Sequence, residues 1–238
     1  MSRIRNPALF VLLSALWGMS FPAIKTGLDS LPPVLFAAFR YDIGGILLLG
    51  YLVASGSKWR PRNREDGIAV LIVAVFVISA NGLLFIGQQA VPSGIAAILF
   101  GLIPILTAGF AAVLLPAEPI TTRRLFGVGL GLVGVGVIAQ PDPSNLFTTE
   151  LIGMGFILLS AVSVSLGSVL LRTRSPSVGV GAMTAWAMVI AGGILHTGSV
   201  AAGERAADVT LSFVGVAAVL YLAVFASAIA YVIYFGLL

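Results

Sequence analysis

The chain has 238 residues, 59% of them hydrophobic and only 9% charged, with a mean hydropathy of +1.10 and a formal net charge of +4. Soluble domains carry about a quarter charged residues, so this composition excludes a water-soluble globule and places the chain in a lipid bilayer. The absence of cysteine excludes disulfides and thiolate chemistry, and a single histidine, His196, argues against a metal cluster. The pI of 9.9 comes from basic residues confined to short loops, a pattern of membrane orientation rather than of nucleic-acid binding.

A span needs roughly 20 apolar residues to cross the hydrocarbon core. The first runs over about 8–27. It follows a basic start, MSRIR, that mimics a signal peptide but continues unbroken through Trp17, Phe21 and Pro22. Further spans are expected at about 32–54, 67–88, 92–115, 123–139, 151–171, 179–201 and 212–238, separated by Pro, Gly or charged breaks. The ten-residue alternation of a β-barrel is missing. The expected class is an all-α polytopic membrane protein. A cytoplasmic N-terminus puts ten of the thirteen basic residues inside, with Lys25 and Arg205 outside and Arg40 within a span.

Short matches recur in order. FVLLSA at 10–15 resembles FILLSA at 156–161, GGIL at 44–47 recurs at 192–195, and AVF at 74–76 recurs at 223–225. The nearly constant spacing pairs the sixth, seventh and eighth spans with the first three. Partners are five spans apart in chain order, an odd number, so the copies run in opposite directions, an arrangement typical of transporters. The expected organisation is a first repeat over 1–139 (helices 1–5), a loop at 140–150, and a second repeat over 151–238 (helices 6–8). Nothing after Leu238 matches the fourth and fifth helices. The reading is therefore of eight helices out of ten, with about fifty further residues expected in the source gene.

The segments LLSALWGMSFPAIKTGL, PPVLFAAFR, ANGLLFIGQQAVPSGIAAILFGLIPILTA and LLPAEPITTRRLFGVGLGLVGVGVIA resemble the first five helices of EamA-type members of the drug/metabolite transporter superfamily. Ala117 stands where that family usually has glycine. The resemblance covers most of the chain and is weaker from 151 onward. It implies ten helices in two inverted repeats, cytoplasmic termini, a central path and transport of small metabolites such as amino acids. The expected location is the plasma membrane.

The candidate site lies in the FRYDIGG segment. Arg40 and Asp42 sit about 200° apart on a helix, so they cannot neutralise each other and each requires its own partner or water. Each costs at least about 2.5 kcal/mol near the bilayer centre. The second copy carries Met188 and Ile190 there, so the fold does not demand the pair. A hydrated substrate cavity and a buried structural network are both open, and the first is preferred. Arg40 is expected to bind a carboxylate, with Asp42 taking an amino group or a coupling proton. Trp17 is expected to form an aromatic wall and Asn81 a neutral orienting contact.

Ser14, Trp17 and Phe21 share one face of the first helix, where the second copy has Ser160, Ser163 and Gly167. Gly127, Gly129, Gly131, Gly134 and Gly136 are expected to pack the fifth helix closely. His196 reads as an interfacial residue, and Glu118 with Arg123 and Arg124 as a solvated loop.

No Walker or Rossmann pattern supports ATP-driven pumping, and both lysines are terminal to their spans, which argues against a retinal protein. An intramembrane enzyme lacks a nucleophile–base pair. The leading expectation is a secondary transporter working by alternating access, with a small solute and the bilayer as partners, a proton or ion for coupling, and no cofactor. A non-transporting subunit or fragment is the alternative. Substrate, coupling ion and oligomeric state stay open.

Overall fold

The computed structural model describes residues 2–115, 126, 127, 129–131, 133, 134, 137 and 148–237. Among these, seven helical segments are long and apolar enough to cross a membrane, and the protein is an all-helical, multi-pass membrane protein. Numbered in chain order with the expected fifth helix kept in the count, span 1 covers Pro7–Gly27, span 2 Pro33–Ala54, span 3 Arg64–Ala90 and span 4 Ser93–Leu114. Span 6 covers Thr149–Arg172, span 7 Val180–Ala201 and span 8 Phe213–Ile233. Most of the fifth helix, residues 140–147 of the connecting loop, and Ala117, Glu118, Arg123, Arg124 and Gly136 lie outside the described residues.

Four spans are interrupted, each for a local reason. Span 1 breaks between Gly18 and Ser20, because Pro22 has no N–H for the carbonyl one turn earlier. Pro104 does the same at the break between Phe100 and Ile103 in span 4. Spans 3 and 8 each contain π-helical turns, at Val73–Ile78 and Tyr221–Ile229. These two stretches contain the two AVF matches, 74–76 and 223–225.

Spans 2 and 7 pack along each other at the centre of the bundle, where small residues let the backbones meet. A Cβ on Gly45 would lie 3.0 Å from Met188 Cβ, and one on Gly44 3.0 Å from Ser227 Cβ of span 8. Span 6 lies against spans 3 and 4. There Ser163 donates to the Phe76 carbonyl at 2.9 Å, and a Cβ on Gly167 would meet Phe76 Cβ at 2.6 Å. Of the fifth-helix glycines, a Cβ on Gly131 would touch Ile105 and Leu102, whereas one on Gly127, Gly129 or Gly134 would meet nothing within 4 Å among the described residues. The expected close packing is thus limited to Gly131 among the described residues.

Charged residues fasten the two ends of the bundle. At one end, Lys25 donates to the Gln88 and Gln89 carbonyls, both at 2.8 Å, meeting the negative C-terminus of span 3. Glu204 accepts from the Val34 and Leu35 amides at 3.0 and 2.8 Å, and from Ser199 at 2.7 Å, capping span 2. At the other end, which carries Lys58, Arg60, Arg62, Arg64, Arg172 and Arg174, Asp66 is fully buried and accepts from the Arg62, Ser177 and Val178 amides at 2.7–2.9 Å. Trp186 stacks on Trp59 and donates to its carbonyl at 2.8 Å.

Candidate functional site

Span 2 turns its two charges in different directions. Arg40 is only 7% exposed, and its Nε donates to Ser227 Oγ of span 8 at 3.1 Å. Its guanidinium lies 4.9 Å from the Tyr41 ring centre and 6.0 Å from that of Phe85, both within cation–π range. It lines a cavity of about 340 Å³ enclosed by spans 1, 2, 3, 4, 6 and 8. That is within the usual range for a small-molecule site.

Trp17 and Asn81 line the same cavity. Trp17 donates from Nε1 to the Ala226 carbonyl at 3.2 Å and meets Tyr231 edge to face at 5.9 Å. The indole is therefore held by span 8 while its ring forms part of the wall. Phe21 and Phe100 extend the aromatic lining, edge to face at 6.0 Å. The serine-rich face of span 6 at the corresponding positions is instead closed against span 3 by Ser163 and Gly167. Ser160 Oγ is buried there without a hydrogen-bond partner among the described residues.

Asn81 has a structural duty that its sequence position did not reveal. Its Nδ2 donates to the Val77 and Ile78 carbonyls at 2.8 and 3.3 Å, where the π-helical turns of span 3 end. Ser79 Oγ similarly donates to the Ala74 carbonyl at 2.7 Å. Backbone carbonyls freed by an irregular helix in a membrane must find such donors. Gln88 is fully buried. Its Nε2 donates to the Phe21 carbonyl at 3.1 Å, and its Oε1 has no partner among the described residues.

Asp42 is not in the cavity. Its Oδ2 lies 2.6 Å from Nε2 of His196 on span 7. This corrects two expectations: Asp42 does not face the path that Arg40 faces, and His196 is not merely interfacial. The separation follows from the helical step, which places residues i and i+2 on opposite sides. The partner could not be read from the sequence, because the depth at which spans 2 and 7 meet is a tertiary property.

A second cavity of about 360 Å³ reaches from the first toward Arg172, and both are lined by Val77 and Tyr231. A larger hollow of about 750 Å³ lies at the basic end beside Lys58, Arg60 and Arg62. It borders the loops, and its one acidic residue, Asp66, is already taken up by backbone amides, so the smaller central cavity is the candidate site. Tyr41, Phe100 and Tyr231 were missed by sequence reasoning, since an aromatic lining a cavity and one facing lipid have the same residue type. Asp66 did have a signal: Asn63-x-x-Asp66 has the spacing of a helix-start box, and Asn63 Oδ1 accepts from the Asp66 amide at 2.8 Å.

The profile of the EamA-like transporter family matches residues 6–140. An uncharacterised inner membrane transporter of Escherichia coli K12, YedA, is 35% identical over 227 residues, covering 94% of this chain and 70% of the relative. A Chlamydia trachomatis protein named as an S-adenosylmethionine/S-adenosylhomocysteine transporter is 32% identical over 192 residues, covering 77% of this chain and 58% of its own. One crystal structure superposes with a TM-score of 0.66 at 21% identity, covering 99% of this chain and 80% of the other, which supports the fold alone.

Proposed function

Since this chain belongs to the EamA-like transporter family, we propose that it is a secondary transporter whose central cavity takes a small solute bearing a carboxylate, amino-acid-like in character. The observation that carries this reading is the burial of Arg40 at the wall of an aromatic-lined cavity in the middle of the bundle. A guanidinium is costly at that depth and is retained there for a counter-charge. Its planar fork suits a carboxylate, and only its Nε is committed to Ser227 among the described residues. S-adenosylmethionine, the solute named for the Chlamydia relative, itself combines a carboxylate with an aromatic base.

Trp17, Phe21 and Phe100 supply an apolar wall for the rest of the solute, and the Asn81 amide oxygen supplies a neutral acceptor. Alternating access follows from movement of 1–139 against 151–238. Val77 and Tyr231, shared by both cavities, form the inner barrier. The π-helical turns beside them provide the least regular backbone in spans 3 and 8. The basic end faces the cytoplasm of a cell whose plasma membrane holds the protein.

The test is uptake by reconstituted liposomes of a panel comprising neutral and aromatic amino acids, S-adenosylmethionine, and matched amines lacking the carboxylate. Uptake of carboxylate-bearing members alone is expected. Transport of the matched amines at equal rates would remove Arg40 from its role, and transport of no member would remove the solute class. In this cysteine-free chain, Ser57→Cys should label from the cytoplasmic side and Leu211→Cys from the other. Labelling of both from one side overturns the orientation.

A further inference from the structure

Asp42 sits about 14 Å along the helix axis from Pro33, at hydrocarbon depth. Its side chain is 32% exposed and that of His196 40% exposed. Their open side faces away from the cavity, on a surface that also carries Ile46 and Ile194, both exposed. Among the described residues nothing covers that surface. The carboxylate is seated there by design of the backbone: a Cβ on Gly192 would collide with Asp42 Oδ1. Glycine at 192 thus opens the notch that Asp42 occupies. Phe39 closes another side, edge to face with the imidazole at 5.7 Å.

No other charge balances this pair among the described residues. On span 2 itself, Arg40 is turned to Ser227, and Tyr41 lines the cavity. Beyond the end of span 7, Glu204 is occupied by Ser199 and the amides of Val34 and Leu35. Spans 3 and 8, which pack on both helices, carry no charged residue over 67–90 and 213–237. Tyr221 of span 8 donates to the Leu16 carbonyl, and Tyr231 lines the cavity. At the far end of span 3, Asp66 holds backbone amides and Glu65 meets Arg174 at 3.6 Å. On span 1, Lys25 is bound to the end of span 3.

We propose that Asp42 and His196 form a proton-binding site, separate from the solute cavity, that joins the two halves of the chain. A carboxylate facing a neutral imidazole has a net charge of −1. One added proton, carried by the carboxyl group or by the imidazole ring, leaves no net charge on the pair. Gain or loss of that proton therefore changes the charge exposed at the seam of spans 2 and 7. In hydrocarbon a change of one charge outweighs most packing contacts. Proton occupancy thereby sets how closely the seam closes. The consequence for solute movement rests on the transporter reading above, whereas the proton site does not.

Infrared difference spectra of the full chain in lipid nanodiscs, between neutral and acid pH, test the site directly. With one histidine in the chain, the imidazole bands have a single source. In the wild type, a carboxyl band and the imidazole bands should change over the same pH interval. Asp42→Asn should displace the imidazole transition, as expected for coupled groups. His196→Gln should displace the carboxyl transition equally. Gly192→Ala keeps both groups but closes the notch, and should uncouple them. Wild-type bands that titrate separately, or an imidazole transition unmoved by Asp42→Asn, overturn the proton site. A second arm measures uptake of the solute found in the panel against pH. His196→Gln should flatten the pH profile while solute affinity stays within twofold. An unchanged profile overturns the link to transport even where the spectra support the site. If the panel yields no solute, the loss falls on the transporter reading, and the spectra still decide the proton site.

Discussion

The two sides of span 2 solve the same problem in different ways. On one, Arg40 is nearly closed off from the exterior, between two aromatic rings and the Ser227 hydroxyl, with a cavity beside it. On the other, Asp42 lies at the bundle surface and is matched by one imidazole from span 7. A guanidinium can spread its charge over rings and hydroxyls because it is delocalised and weakly hydrated. A carboxylate has no such recourse and needs a donor aimed at its oxygens. Two charges two residues apart are therefore two separate devices on one helix. The expected consequence is independence.

The largest effect should come from the cavity side. Arg40→Gln removes a charged hydrogen-bond donor, worth about 1.5–3 kcal/mol, and should weaken solute binding roughly 10- to 100-fold. Arg40→Lys should recover only part of this, because an ammonium lacks the fork. Combined with His196→Gln, the loss of binding energy should equal the sum of the single changes within about 0.5 kcal/mol. Solute-binding titrations of the four proteins decide the matter. A larger coupling energy would mean that the two sides of span 2 act as one site.

The seam side should respond in stability. Leucine at Gly45 must displace Met188 Cβ and Val189 Cγ2, each 3.0 Å from the position of a Cβ. Such overpacking costs about 1–3 kcal/mol. A Cβ on Gly50, on the same span, would meet nothing within 4 Å among the described residues. Gly45→Leu should lower the thermal midpoint of detergent-solubilised protein by several degrees, and Gly50→Leu should not. Equal midpoints would show that the seam of spans 2 and 7 is loose.

How far the sequence could foresee this depends on which interactions are local. Span positions follow from runs of apolar residues, and seven of the eight expected spans occur among the described residues. The divergence of Arg40 and Asp42 follows from a 100° step per residue. The pairing of Asp42 with His196 does not, since it requires the relative depth of two helices 154 positions apart. Nor could the wall residues be sorted. Tyr231 and Phe100 line the cavity while Phe225 is exposed on the bundle surface, and nothing in the residue type distinguishes them. The π-helical turns were marked only indirectly, by a three-residue match whose backbone meaning the sequence does not state.

The smallest expected effect separates the two duties of Asn81. Its nitrogen holds the Val77 and Ile78 carbonyls at the end of the π-helical turns, while its oxygen has no partner among the described residues. If the oxygen orients a solute, Asn81→Ala removes one neutral hydrogen bond, worth about 0.5–1.5 kcal/mol, and affinity falls roughly 2- to 10-fold. The same substitution also frees two carbonyls, so a fall alone would not identify the cause. Asn81→Asp supplies the contrast: it keeps an acceptor toward the cavity but loses the donor to the carbonyls. For a solute that donates a hydrogen bond to position 81, Asn81→Asp should retain more affinity than Asn81→Ala while being no more stable. For a purely structural residue, affinity should follow stability in both variants. Binding titrations set beside thermal midpoints distinguish the two, and a common line through both variants would take Asn81 out of the site and leave Arg40 with the aromatic wall.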